Sequence, residues 1–189
     1  MNVLIDLDQT CVLDVNSYQF SEIPSNYFTN YITHIYSKDE FGFSKNVLFA
    51  RPMLQSFLEK VNKFATISVF TAASKKYADI AVENLFTTVK PKHIFFRDDC
   101  IKGKKMFDKD KPIEYICSLY PNEFTLENTI IVDDNESVKE SNKENCILVK
   151  PWTLDSLKEG CKDEMKKDRE LLKVLEHLIF IARNKGLVI

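Results

Sequence analysis

Glycine is scarce in this chain, with four among 189 residues. Neither the G-x-G-x-x-G turn nor the Walker loop can be built from them, so glycine-rich phosphate loops are excluded. Histidine is nearly as rare: His34, His93 and His177 lie far apart and lack metal-ligand spacing. The five cysteines, Cys11, Cys100, Cys117, Cys146 and Cys161, are odd in number and contain no C-x-x-C pair. That excludes a zinc or redox motif and fits reduced thiols in a cytosolic or nuclear protein. Apolar runs long enough to span a bilayer are missing, as are the basic start and long apolar core of a signal peptide. An intracellular protein without a membrane partner is therefore expected. A net charge of −2 gives no broad electrostatic claim on nucleic acid.

What is present is ordinary globular material. Hydrophobic residues make up 44% and charged residues 29%, enough for one sizeable core. Short apolar runs alternate with helical patterns. Strands are expected over Asn2–Ile5, Asn46–Ala50, Thr66–Phe70, His93–Phe96, Thr129–Val132 and Cys146–Val149. Between them, helical spacing follows Arg51-Pro52, Ser74 and Pro112, and one long amphipathic helix is expected from about Asp163 to Lys185, stopped by Gly186. In the helix after Ser74, Tyr77 falls on the apolar stripe with Ala78, Ala81, Val82 and Leu85. Continuous apolar strands separated by helices imply an α/β fold with a parallel sheet covered on both faces. Val15 to Lys45 has weak periodicity and reads as an insertion over the site or a long irregular connection.

Four signals carry chemistry. Asp6-Leu7-Asp8-Gln9-Thr10 ends the first strand, where ligands of open α/β sheets bind. Residues two apart on an extended chain point the same way, so two carboxylates crowd one pocket. Such crowding is costly unless a cation joins them, and magnesium suits oxygen ligands and phosphate substrates. One carboxylate can attack phosphorus and the other can move protons; the competing reading is a turn whose acids only cap a helix. Phe70-Thr71-Ala72-Ala73-Ser74 puts hydroxyls at a second strand end, although such a Thr or Ser is more often an N-cap. A lysine-rich loop can neutralise a phosphoryl group, but spacing does not choose among Lys102, Lys104, Lys105, Lys109 and Lys111. Asp133-Asp134 follows the buried run Ile130-Ile131-Val132 and belongs at the same sheet edge as Asp6.

The four in this order resemble the haloacid-dehalogenase superfamily. Val69–Asp79, Arg51-Pro52, Phe96–Cys100, Lys109-Asp110 and Ile130–Asn135 more closely resemble its FCP/SCP group, phosphatases acting on the C-terminal domain of RNA polymerase II. The resemblance spans about Asn2 to Trp152. It implies a three-layer α/β/α Rossmannoid fold, one domain over residues 1–189, with a small β insertion at about 86–108. It implies Asp6 as nucleophile and Mg2+ ligand, and Asp8 as general acid/base, offering its backbone carbonyl to the metal. Thr71 and Lys109 would hold the phosphoryl group, Asp134 would complete the metal site, and Asp133 and Thr10 would support it. Arg97 would face the substrate. Gln9 stands where the family has glutamate. Cys11 replaces a usual leucine, and a thiol beside the site suggests sensitivity to oxidation.

The leading expectation is thus a Mg2+-dependent phosphatase for phosphoserine or phosphothreonine proteins, the RNA polymerase II tail among them. A phosphatase for nucleic-acid ends or small metabolites is a second reading, and a catalytically silent scaffold a third. The lysine- and asparagine-rich, glycine-poor composition suits an AT-rich genome, viral or protist.

Overall fold

A computed structural model of the chain describes residues 1–16, 18–19, 23, 33–37, 45–102, 109–163 and 167–188. The strands are β1 (Asn2–Ile5), β2 (Val12–Asn16), β3 (Thr33–Ser37), β4 (Lys45–Ala50), β5 (Thr66–Phe70), β6 (Ile94–Phe95), β7 (Ile101–Lys102), β8 (Lys109–Asp110), β9 (Thr129–Asp133) and β10 (Cys146–Leu148). The helices are α1 (Leu54–Val61), α2 (Lys75–Leu85), α3 (Ile113–Leu119), α4 (Glu136–Asn142), α5 (Leu154–Lys162) and α6 (Glu170–Asn184).

Five strands form the main sheet in the order β10-β9-β1-β5-β6, and every pairing is parallel. β1 is central because it is apolar on both faces. Val3 and Ile5 join a core with α1, α2 and α6, whereas Leu4 joins a second core with α3 and α4. A strand buried on both sides reads as an unbroken apolar run, which is why its limits were visible in the sequence. β5 and β9 flank β1 on opposite sides, so the chain reverses its winding there and opens a crevice beyond the carboxyl ends of these strands.

The stretch that was hardest to read supplies a second sheet. β2, β4 and β3 form an antiparallel sheet in that order. Its inner face is two-sided as well: Leu48 and Ala50 join the first core, while Leu13, Val15, Val47 and Phe49 pack with Trp152 and Leu157. Residues 17, 20–22, 24–32 and 38–44 lie outside the described residues, and the reading of Val15 to Lys45 as a cover over the site falls partly on them. In the stretch expected to hold a small insertion, β6 extends the main sheet, and β7 pairs with β8 as a two-stranded ribbon.

The tail helix expected from about Asp163 starts later, and a separate helix precedes it. α5 ends at Lys162, and α6 begins only at Glu170. Asp168 in the intervening chain takes a forked ion pair from Arg51, with Nε and Nη2 at 2.8 and 2.9 Å. The same guanidinium donates through Nη1 to the carbonyls of Gln9 and Thr10 and through Nη2 to that of Lys150. One buried side chain therefore ties the turn after β1 to the exit of β10 and the approach to α6. Lysine has one compact ammonium and cannot reproduce this fork. Arg51→Lys is expected to lower stability by about 2 kcal/mol, read as a lower thermal midpoint by circular dichroism; an unchanged midpoint would contradict this role.

No helix among the described residues is long and apolar enough to cross a membrane.

Candidate active site

The turn after β1 sets the first two acids. Leu7 is buried between them, and its carbonyl accepts from the N–H groups of both Cys11 and Val12 at 2.8 Å. Gln9 adopts a left-handed conformation, φ 62°, and its carbonyl accepts from Trp152 N at 2.7 Å. A non-glycine residue held there is strained. Here the Arg51 and Trp152 contacts hold it and aim Asp6 and Asp8 into the crevice. Cys11 is fully buried in the same turn, and burial pushes its thiol pKa up. It is a packing residue with a poor thiolate, which corrects the expected sensitivity to oxidation.

Asp6 is 5% exposed. Its Oδ1 lies 2.6 Å from Nζ of Lys111, which also donates to the carbonyl of Phe70 and pairs with Asp133. The ammonium beside Asp6 therefore belongs to Lys111, whereas the resemblance placed Lys109 there. Lys109 lies two residues upstream in β8, with its side chain outside the described ones. A signal for Lys111 was available: it precedes Pro112, which disfavours helix at that residue. That places it where an extended chain enters a helix, at the sheet edge. Asn142 of α4 fixes this junction, donating to the Lys111 carbonyl at 3.0 Å and accepting from Ile113 N at 2.8 Å. Burial opposes the lysine charge, but Asp6 and Asp133 outweigh it and raise its pKa.

The acids after β9 arrive as expected. Asp133 ends the strand, with Oδ1 accepting from Asn135 N at 2.9 Å, and Asp134 accepts from Thr10 Oγ1 at 3.2 Å. Carboxylate oxygens of Asp6, Asp133 and Asp134 all lie within 4.8 Å of one another. Burial, then the Asp6 charge, raises the Asp133 pKa to about 7 and moves that of Asp134 upward. The cluster suits a hard divalent cation. Three carboxylates against one ammonium leave two charges to balance, and every donor is oxygen. Asp133, expected only in support, supplies the third carboxylate of this group.

Asp8 is turned elsewhere. Its Oδ1 accepts a short hydrogen bond from the Tyr77 hydroxyl. Burial raises its pKa to about 7, Tyr77 pulls it back, and Asp6 pushes it further up. Tyr77 was read only as part of an apolar stripe; its phenol was the one polar group on that stripe, and it faces the site. Thr71, at the tip of β5, is 1% exposed and accepts from Ala73 N at 3.1 Å, which leaves its hydroxyl proton to donate. The N-cap of α2 is Ser74, accepting from Tyr77 N, so Thr71 is not needed as a cap. Arg97 stands at the rim, with Nε donating to the Ala72 carbonyl.

These groups line one open pocket of about 700 Å³, together with Asp14 and Tyr36 from the antiparallel sheet. Neither of those two was expected: Tyr36 falls where the sequence has no clear period, and Asp14 directly precedes that stretch.

Comparison with known proteins agrees with this fold. The model of the NLI interacting factor-like phosphatase family matches residues 1–188. The chain is 29% identical to the putative CTD phosphatase-like protein 355R of Invertebrate iridescent virus 6, covering 94% of this chain and 96% of the relative. It is 31% identical to the protein of the same name from Invertebrate iridescent virus 3, covering 93% and 94%. The structure of Fcp1, described as an essential RNA polymerase II CTD phosphatase, superposes with a TM-score of 0.69 at 16% identity. That match covers 97% of this chain and 62% of the Fcp1 chain, and shares the α/β haloacid-dehalogenase-like fold.

Proposed function

Because the chain belongs to the NLI interacting factor-like phosphatase family, we propose that it hydrolyses phosphate monoesters of serine or threonine in proteins by way of Asp6. The observation that carries this reading is the division of labour between two acids. Asp6 sits under the Lys111 ammonium beside the carboxylate cluster, and Asp8 faces Tyr77 with a pKa near neutrality. Such a split suits a nucleophile and a proton carrier.

In the first step an Asp6 carboxylate oxygen attacks phosphorus. The bond from phosphorus to the ester oxygen breaks, and Asp8 gives its proton to the departing alkoxide. In the second step Asp8 takes a proton from water as the water oxygen attacks phosphorus, releasing inorganic phosphate and restoring the Asp6 carboxylate. Lys111, the Thr71 hydroxyl and Arg97 would hold the phosphoryl oxygens. Asp6, Asp133 and Asp134, with the Asp8 carbonyl, would hold Mg2+. A bound Mg2+ supplies charge neutralisation of the phosphoryl group.

Phosphate release from p-nitrophenyl phosphate is expected with Mg2+, loss of at least about 100-fold in EDTA, and recovery on Mg2+ addition. Turnover that ignores EDTA would remove the metal. Phosphoserine and phosphothreonine peptides, including the RNA polymerase II tail repeats that the relatives' names point to, should then be compared with 3′-phosphorylated oligonucleotides and sugar phosphates. Turnover confined to the last two classes would replace the protein substrate.

A further inference from the structure

One wall of the pocket holds two residues, Asp14 and Tyr36, that have no task in this chemistry. It is built from Asp14 of β2, Tyr36 of β3 and Tyr77 of α2, all of which line the pocket. Asp14 accepts from the Tyr36 hydroxyl at 2.9 Å through Oδ2 and from Asn46 Nδ2 at 2.8 Å through Oδ1. Both partners are neutral, and no cation pairs with Asp14 among the described residues. Each oxygen retains acceptor capacity, since a carboxylate offers about four lone-pair sites. The Tyr36 and Tyr77 rings meet edge to face, with centroids 6.1 Å apart and planes at 66°.

A half-buried carboxylate beside two aromatic rings suits a particular guest. The alkyl stem of a lysine or arginine packs against the rings, and its cationic head meets both the ring faces and the carboxylate. Lys111, Thr71 and Arg97, which line the same pocket, suit an anion. The pocket thus offers groups for a phosphate and groups for a cation.

The geometry points to a basic-residue subsite: the substrate is a phosphopeptide with Lys or Arg near the phosphorylated residue, and Asp14, framed by Tyr36 and Tyr77, selects it. The inference rests on the proposed protein phosphatase activity and narrows it. A proline or other apolar neighbour would pack on the same rings but leave the Asp14 charge desolvated and unpaired, which disfavours it. An acidic neighbour would be repelled.

The test needs no variant at first. Phosphoserine peptides are synthesised with Lys, Gln, Glu or Pro at each position flanking the phosphoserine in turn, and kcat/KM is measured on the full chain. A second set carries a non-hydrolysable phosphonate in place of phosphoserine, and its Kd is measured on the same protein. At one position Lys is expected to exceed Gln by about tenfold in both measurements, with Glu and Pro below Gln. Asp14→Asn, checked by its thermal midpoint, is expected to shrink the Lys-over-Gln ratio to about twofold or less. Best turnover and binding with Pro, Glu or Gln would overturn the subsite. So would a Lys preference that survives Asp14→Asn, or release from aryl phosphate with no phosphopeptide bound. A Lys preference in phosphonate binding without any phosphate release would instead overturn the proposed turnover and leave the subsite standing.

Discussion

Asp6→Asn is expected to abolish phosphate release, with a loss of at least about 10⁴-fold, roughly 5.5 kcal/mol of transition-state stabilisation. The reason is chemical. An amide oxygen at this position still accepts from Lys111 but is no nucleophile toward phosphorus. No other described carboxylate can substitute easily: Asp133 ends and Asp134 follows a different strand, and Asp8 is held by Tyr77. The fold is expected to survive, because the change also relieves like-charge repulsion among Asp6, Asp133 and Asp134. Rapid acid quench after exposure to radiolabelled phosphopeptide checks the point directly. Wild type should carry an alkali-labile phosphoryl label and the variant none. A variant that still turns over within about tenfold of wild type removes the covalent step.

Lys111→Met is the second large effect, and it acts on stability and activity together. The lysine is 3% exposed and answers two buried carboxylates, Asp6 and Asp133. Removing it leaves those charges unpaired in a dry site, which is expected to destabilise the metal-free protein by about 3–5 kcal/mol. For a domain of this size the thermal midpoint should fall by roughly 10 °C. Mg2+ should recover part of that fall, since a divalent cation answers the same carboxylates. Turnover should drop by at least about 10³-fold even with Mg2+, because the ammonium beside the phosphoryl position is gone. The companion variant Lys109→Met decides between the two lysines. Severe loss in Lys109→Met with near wild-type behaviour in Lys111→Met would show the site to be assembled around the wrong one.

The contrast between those lysines marks how far the sequence could be read. β1, β5 and β9 were legible because strands buried on both faces appear as unbroken apolar runs. An acid or threonine directly after such a run must emerge at the sheet edge, so Asp6, Thr71, Asp133 and Asp134 were placed by local pattern alone. The lysines had no apolar run before them, and the one signal, Pro112 directly after Lys111, went unused. In a run of similar residues each looks like solvated surface, and the contact that singles out Lys111 joins residues 105 apart. Tyr77 was hidden for a different reason: its ring satisfies the helical stripe, and only its hydroxyl reports on the site. Asp14 and Tyr36 sit on β2 and β3, short strands whose partner β4 is distant in sequence from β2. The tail helix was expected from about Asp163 but starts at Glu170, because Asp168 just before it is held by Arg51, a contact across 117 residues.

What the amino-acid sequence determined by itself is therefore the parallel sheet and the acids at its carboxyl edge, since burial pattern and strand ends are local properties. Tertiary structure decided which lysine faces Asp6, which phenol holds Asp8 and that Asp14 and Tyr36 line the same pocket. Those depend on where separate segments meet, and the energy of a buried charge is set by the groups around it in space, whatever their separation along the chain.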